Sequence, residues 1–130
     1  MKKAHAVAAL GVIIAVALTG CTAEDQFGQA EKAELPSFVT VKDAAPLEGS
    51  VRHLGRDESG VDYYVGKWSS ENGDESCFVA VNGEDFASAC GNQMPLAVSL
   101  QGANATLSPT RIGDVETGAE AVGPYVTVRR

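Results

Sequence analysis

Short apolar runs alternate with turn residues along residues 49–130. Gly, Asn, Asp and Pro separate the runs, and no helical stripe of apolar side chains crosses this part of the chain, which is typical of all-β domains. The pattern predicts a mainly antiparallel all-β fold, a small sandwich or barrel-like sheet of about six or seven short strands. The predicted strands are 50–56, 61–68, 76–81, 86–90, 96–101, 105–108 and 125–129.

The second predicted strand shows which of its side chains should be buried. Val61, Tyr63 and Val65 share one face of it, so they are predicted to face the core. Tyr64 and Trp68 have the opposite parity and are predicted to face outward. Amphipathic aromatic residues often anchor binding surfaces, so Trp68 and Tyr64 form a candidate binding surface, and core packing explains these residues equally well.

One long stretch near the end of the chain lacks this periodicity. Residues 113–124 contain three Gly and one Pro. We predict a long loop that returns the chain to a last strand at Tyr125.

The first 20 residues have the features of an export signal. Lys2 and Lys3 precede an uncharged apolar run, residues 6–18, which is 13 residues long. A permanent membrane helix needs about 20 residues, so a cleaved signal peptide fits better. The Leu18-Thr19-Gly20-Cys21 sequence that follows resembles a bacterial lipobox. This resemblance implies that Cys21 is diacylated and becomes the first residue of the mature protein. Two acyl chains suffice for stable anchoring, so we expect a lipid anchor on the extracellular face of the cell membrane.

Residues 21–45 are rich in Ala, Glu and Gln and poor in large apolar side chains. This composition predicts a flexible or weakly helical tether before a domain at 46–130. Residues 26–35 favour a short helix that Pro36 would end, although such a helix is too short to be stable alone. Phe38, Val39 and Val41 are expected to mark the first contact with the domain.

Charge argues against some classes of partner. The whole chain has a net charge of −7, and removal of residues 1–20 leaves eight basic and seventeen acidic residues, a net charge of −9. An acidic domain is repelled by a phosphate backbone, so no nucleic-acid partner is expected. Solubility is the simplest explanation of the acidity.

Cys77 and Cys90 are the two cysteines that remain after Cys21, and export would place them in an oxidising space. If residues 82–85 form a hairpin turn with Val81 facing Phe86, the numbers of facing residues sum to 167, and the two cysteines face each other. With a two-residue turn at Asn82-Gly83, the numbers of facing residues would sum to 165, and the two cysteines would lie on a diagonal about 7 Å apart. We therefore predict a Cys77–Cys90 disulfide within a hairpin of the first register.

Candidate catalytic residues are few. His53 is the one histidine after the signal, and a lone histidine on a strand is usually structural. No nucleophile elbow, zinc-binding helix motif or phosphate loop is present, so no catalytic residue, metal or cofactor is assigned. Glu71, Asn72, Asp74 and Glu75 suggest a strand-connecting turn, with weak calcium binding as the alternative.

Several loose features together resemble the small uncharacterised membrane lipoproteins of actinobacteria. These are the lipobox, the Ala/Glu tether, Leu35-Pro36, the run 51–64, the Cys77-Phe78-Val79 segment and residues 87–91. The resemblance implies a cell-surface, disulfide-bearing β domain and no activity. We therefore expect a non-catalytic binding or accessory module whose partner is an envelope protein or cell-wall component. The alternative is a small envelope hydrolase or an inhibitor of an envelope enzyme, which would need a concave pocket holding His53 with two carboxylates.

Overall fold

The computed structural model describes residues 27–130, and all of the regular structure in this range is β-strand. The predicted all-β fold class is confirmed. Each predicted strand is present, and two further strands, β1 and β8, bring the number in the described range to nine. The strands are β1 (Glu31–Lys32), β2 (Arg52–Arg56), β3 (Asp62–Ser70), β4 (Gly73–Asn82), β5 (Asp85–Gly91), β6 (Leu96–Leu100), β7 (Ala103–Leu107), β8 (Ala119–Val122) and β9 (Val126–Arg129).

The nine strands form two antiparallel sheets. The first has the order β1-β2-β3-β4-β5, and the second has the order β6-β7-β9-β8. Apolar side chains from both sheets are buried in one shared cluster, so the sheets pack face to face as a sandwich rather than closing into a barrel.

The face of the first sheet that packs on the second is called the inner face here, and its opposite is the outer face. Val61, Tyr63 and Val65 are buried in the shared core, as their alternation predicts. Tyr63 stacks on Phe78 with ring centroids 5.8 Å apart. Leu107, Val126 and Val128 close the core from the second sheet.

The β4–β5 hairpin has the predicted register. Val81 faces Phe86 and Cys77 faces Cys90, so every facing pair sums to 167. The two cysteines are bonded, with their Cα atoms 4.0 Å apart. Gly83 adopts a φ of +65° in the turn, a conformation that glycine accepts readily. The cross-strand geometry of Cys77 and Cys90 thus agrees with the register in which residues 82–85 form the turn, and not with the Asn82-Gly83 turn.

Residues 27–45 differ from the expected tether. Phe27 is buried and meets Tyr125 edge to face at 5.0 Å. Strand β1 pairs with β2, and residues 27–35 contain no helix. Contact with the sandwich therefore begins before Phe38. Local preference for helix is weak in so short a segment, so pairing with a preformed sheet edge prevails.

Strand β8 lies inside the stretch that the sequence predicts to be a loop. It pairs with β9, with Val122 facing Val126. Its four residues include the inward-facing Glu120, which breaks the apolar alternation. A short strand with a buried end and no apolar pattern gives little signal in the sequence.

Gly123 follows β8 where this strand approaches β2. It has a φ of +63°, and a Cβ atom at this position would lie 2.5 Å from the carbonyl oxygen of Leu54. Backbone cannot move aside as cheaply as a flexible side chain. Gly83 has nearly the same φ, +65°, with nothing within 4 Å of its Cβ position.

We expect Gly123→Ala to lower the free energy of unfolding by about 2 kcal/mol more than Gly83→Ala does. The two variants share the strain of a positive φ, so the difference isolates the contact with Leu54. Urea unfolding of both variants measures it. Equal losses of stability would show that β2 and β8 can separate freely at this point.

Candidate functional site

Residues 33–51 cross the outer face of the first sheet and are called the arch here. The Ala33 amide donates to the Val51 carbonyl at 3.1 Å, and the Leu47 amide donates to the Lys67 carbonyl at 2.8 Å. Val41, near the middle of the arch, is buried against the outer face, and the adjacent Lys42 forms an ion pair with Glu75. The second apolar cluster beneath the arch consists of Val41, Trp68, Cys77, Val79 and Val81.

Trp68 lies on the outer face, as its parity predicts, but it is only 1% exposed. Its indole Nε1 donates a hydrogen bond to the carbonyl of Ala44 in the arch, at 3.0 Å. The prediction that Trp68 belongs to an exposed binding surface is therefore wrong. Strand alternation identifies the face of a side chain, and it does not reveal a distant segment that packs over that face.

Tyr64 is half-buried on the same face, next to a small polar group. Its ring centroid lies 5.1 Å from that of His53, its partner on β2. His53 Nε2 lies 2.9 Å from Asp62 Oδ1, and His53 Nδ1 lies 4.0 Å from Glu31 Oε1. Burial alone would raise the pKa of Asp62, but the hydrogen bonds from Arg56 and His53, with their charges, lower it. Asp62 is therefore held as a carboxylate that accepts hydrogen bonds from both side chains.

Phe38 is the one large hydrophobic side chain classed as exposed among residues 27–130, at 38%. Its ring centroid lies 6.2 Å from that of Phe86, which is only partly buried. Further half-covered apolar groups belong to the same cluster. We call the set the apolar patch, and it comprises Leu35, Phe38, Val39, Tyr64 and Phe86.

A cleft of about 350 Å³ opens at one end of the sandwich and is called the end cleft here. Its walls come from the segment before β1, the arch and strands β2 to β4, and none of its lining residues belongs to the second sheet. Its lining includes Phe27, Leu47, Ser50, Arg52, Val65, Lys67, Asp74 and Ser76.

The floor of the end cleft is a polar row across two strands. Lys67 faces Ser76 on β4, and on its other side the Lys67 amide donates to Ser50 Oγ at 3.0 Å. Ser76 is 8% exposed, and its hydroxyl has no hydrogen-bond partner among residues 27–130. The Lys67 ammonium likewise has no ion pair within the described part of the chain. Buried polar groups normally have a hydrogen-bond partner, so the Ser76 hydroxyl is available to bind a ligand.

Arg52 and Asp74 add charges of opposite sign to the end cleft. Arg52 Nη1 donates to the carbonyls of Gly49 and Val51 at 2.7 and 3.1 Å, which fixes the guanidinium while its other nitrogens keep their donors. Within residues 27–130, Asp74 has no ion pair, although two cations line the same cleft.

The acidic residues near the β3–β4 turn do not converge on one point. Ser70 faces Gly73, so only Glu71 and Asn72 form the turn. Asp74 and Glu75 lie within β4, where successive side chains point to opposite faces. Asp74 lines the end cleft, and Glu75 binds Lys42. The structure thus supports the interpretation as a strand-connecting turn. Glu75 also lies near Cys77 and Cys90, but their sulfurs are bonded to each other and supply no thiolate ligand.

Asp57 is the most deeply buried charged residue in the described range, with a side chain that is 0% exposed. Its Oδ1 accepts hydrogen bonds from the Ser59 and Val61 amides, and its Oδ2 accepts from the Tyr63 hydroxyl and Arg130. Burial alone would raise the pKa of Asp57, but these hydrogen bonds and the Arg130 charge lower it. Burial and the bond to Asp57 raise the pKa of Tyr63. All four lone-pair positions of the Asp57 carboxylate accept hydrogen bonds, so it is not free to act as a base. The bond from Arg130 links the two sheets.

A second cleft, of about 430 Å³, lies between the arch and the outer face and includes Trp68 in its wall. His53 lines neither this cleft nor the end cleft. His53 does approach two carboxylates, Asp62 and Glu31, but it does so on an open sheet surface. Neither cleft therefore supplies the concave pocket around this group that the enzyme alternative requires.

Sequence reasoning missed both Asp57 and the end cleft. Asp57 precedes a polar Glu-Ser-Gly turn, which gives no sign of burial. Lys67, Ser76 and Arg52 meet only through strand pairing, so their positions in the chain show no motif. A two-residue hairpin turn at Glu71-Asn72 fixes the β3–β4 register and would have revealed the Lys67–Ser76 pair.

Cys21 and the predicted signal segment lie outside the described residues, as does the start of the expected tether. Within residues 27–130 no helix has the length and apolar character needed to cross a bilayer. Comparison of the chain with protein-family models, with curated proteins and with solved structures found no match.

Proposed function

We propose that this protein is a lipoprotein attached through Cys21 to the extracellular face of the cell membrane, where it acts as a non-catalytic module that binds an envelope protein. The Lys pair, the short apolar run and the lipobox-like tetrapeptide support the anchor. The disulfide supports an oxidising location, because such bonds persist outside the cytoplasm.

The observation that carries the binding role is the apolar patch. Phe38 projects from the arch beside Phe86, and half-covered aliphatic side chains surround the two rings. Large aromatic side chains in such a setting contribute most of the energy at protein interfaces. The patch takes the place of Trp68 in the predicted surface and retains Tyr64.

The position of His53 favours binding over hydrolysis. The imidazole contacts Asp62 and Tyr64 on a sheet surface, outside both clefts. A hydrolase needs its base beside a bound substrate from which water is partly excluded. Neither of the two clefts encloses His53.

The proposal is tested in cells that make the full-length protein with a photo-crosslinking amino acid at position 38 and that are fed radiolabelled palmitate. We expect a palmitate-labelled protein in the membrane fraction and one discrete crosslinked adduct with an envelope protein. The matched control carries the crosslinker at Ala97, an exposed position on the outer side of the second sheet.

Two results would contradict the proposal separately. An unlabelled, uncleaved chain in the cytosol would overturn the anchor. Identical adducts from positions 38 and 97, or none from either, would overturn the apolar patch as a binding surface. A Cys21→Ala variant shows which palmitate signal belongs to the anchor.

A further inference from the structure

We propose that the end cleft binds a small zwitterion with an apolar side group, such as a free apolar amino acid. The ligand carboxylate would meet Lys67 and Arg52, and its ammonium group would meet Asp74. This site lies on the inner side of the first sheet, apart from the apolar patch. The inference therefore holds whether or not the proposed function does.

The distribution of basic residues supports the carboxylate half of the site. Residues 27–130 contain eight lysines and arginines, and four of them form ion pairs, namely Lys42, Arg56, Arg129 and Arg130. Two of the remaining four, Arg52 and Lys67, line the end cleft. In a strongly acidic protein, two uncompensated cations in one concave site create a local field that attracts an anion.

A hydroxyl group completes this half. Ser50 and Ser76 flank Lys67 in the floor of the cleft, and the Ser50 hydroxyl is already bonded to the Lys67 backbone, because it accepts from the amide and donates to the carbonyl. Ser76 is 8% exposed, and its hydroxyl lacks a partner in the described chain. Leaving such a group unpaired costs stability, and a ligand oxygen would satisfy it. Ammonium, guanidinium and hydroxyl donors together match a carboxylate.

The negative charge of Asp74 favours a dipolar ligand over a simple anion. It lies two residues from Ser76 on the same face of β4, a separation of about 7 Å along the strand. It forms no ion pair with Lys67 or Arg52 in the described structure. Opposite charges that line one cleft without touching leave room for a ligand with an internal dipole.

The remaining walls are apolar. Phe27, Leu47 and Val65 line the cleft beside the polar floor. A volume of about 350 Å³ falls at the lower end of the range of roughly 300–1,000 Å³ found for small-molecule sites. An aliphatic or aromatic side group of amino-acid size would fill the space next to these walls.

The test uses three probes that share the isobutyl group of leucine, and isothermal titration calorimetry on the purified protein. Leucine carries both charges, 4-methylpentanoate carries only the carboxylate, and 3-methylbutylamine carries only the ammonium group. We expect leucine to bind. Each singly charged probe should bind at least about tenfold more weakly than leucine, because it loses a charge-assisted hydrogen bond.

Variants assign the contacts. Lys67→Met should weaken leucine binding by about tenfold or more, and Asp74→Asn should remove the preference for leucine over 4-methylpentanoate. Arg111→Met removes the same charge as Lys67→Met outside the cleft and should leave binding unchanged. Ser76→Ala, a smaller change, supplies the test at the floor if Lys67→Met does not fold.

Three outcomes would overturn the inference. One is the absence of a leucine isotherm for the wild-type protein. Another is 4-methylpentanoate binding as tight as leucine binding, which would make the site a simple anion site. The third is leucine binding by the folded Lys67→Met variant, or by Ser76→Ala in its place, that equals binding by Arg111→Met.

Discussion

Replacement of Asp57 by alanine is expected to lower the free energy of unfolding by about 3 kcal/mol, because it leaves buried donors without an acceptor. The amides of Ser59 and Val61 and the hydroxyl of Tyr63 all lose their partner. Arg130 loses its counter-ion as well, although this side chain is 39% exposed and water compensates part of that loss. Urea unfolding measures the effect.

Two other variants separate the causes. Asp57→Asn retains one oxygen acceptor and removes the charge. We expect its free energy of unfolding to lie between those of the wild type and Asp57→Ala. Glu58→Ala changes an adjacent exposed side chain and should have little effect. A loss for Asp57→Ala no greater than that for Glu58→Ala would show that the sheets do not depend on this cluster.

The same carboxylate makes stability depend on acid. The folded pKa of Asp57 is lower than its unfolded value, so its contribution is complete above the unfolded pKa of about 3.9 and is lost as the pH falls through the lower folded pKa. Asp62 acts in the same direction. Asp57→Asn should therefore lose less stability than the wild type when the pH is lowered below about 4, and part of the acid dependence should remain.

Removal of the Cys77–Cys90 disulfide is expected to lower the free energy of unfolding by about 3 kcal/mol, because the bond closes a loop of about 14 residues in the unfolded chain. Cys77 is fully buried beneath the arch, and Cys90 is half-buried beside it. The double variant Cys77→Ala/Cys90→Ala avoids a free thiol. We expect its thermal unfolding midpoint to be lower than that of the oxidised wild type.

Reductant provides the matched control for the disulfide. It should lower the unfolding midpoint of the wild type and leave that of the double variant unchanged. Alkylation without reduction, followed by mass measurement, reports the state of the thiols. Full labelling of Cys77 and Cys90 in the untreated protein would contradict the bond.

The hairpin around this disulfide was the most predictable part of the fold. Two cysteines that must face each other exclude one turn, and the remaining register fixes every pair from Ser76 to Asn82. The alternation of β3 was equally informative about its two faces. Both predictions rest on period-two geometry over contiguous residues, which a sequence records directly.

The parts that could not be predicted depend on contacts between distant segments. The composition of residues 27–45 favours a tether, yet Phe27 and β1 are held by β2 and Tyr125. The arch that buries Trp68 belongs to the same segment. Likewise, Lys67 and Ser76 look unrelated until strands β3 and β4 are paired. Such long-range packing overrides local preference and has no signature of its own.

With the proposed anchor on Cys21, the burial of Phe27 would limit how far the β-sandwich can lie from the membrane surface. Five residues lie between Phe27 and Cys21, and an extended chain advances at most about 3.6 Å per residue, so the reach is roughly 20 Å. With acyl chains on Cys21, as proposed, the sandwich would stay close to the lipid headgroups. Phe27 is also part of the end cleft, so solutes would enter that cleft from the water layer next to the membrane.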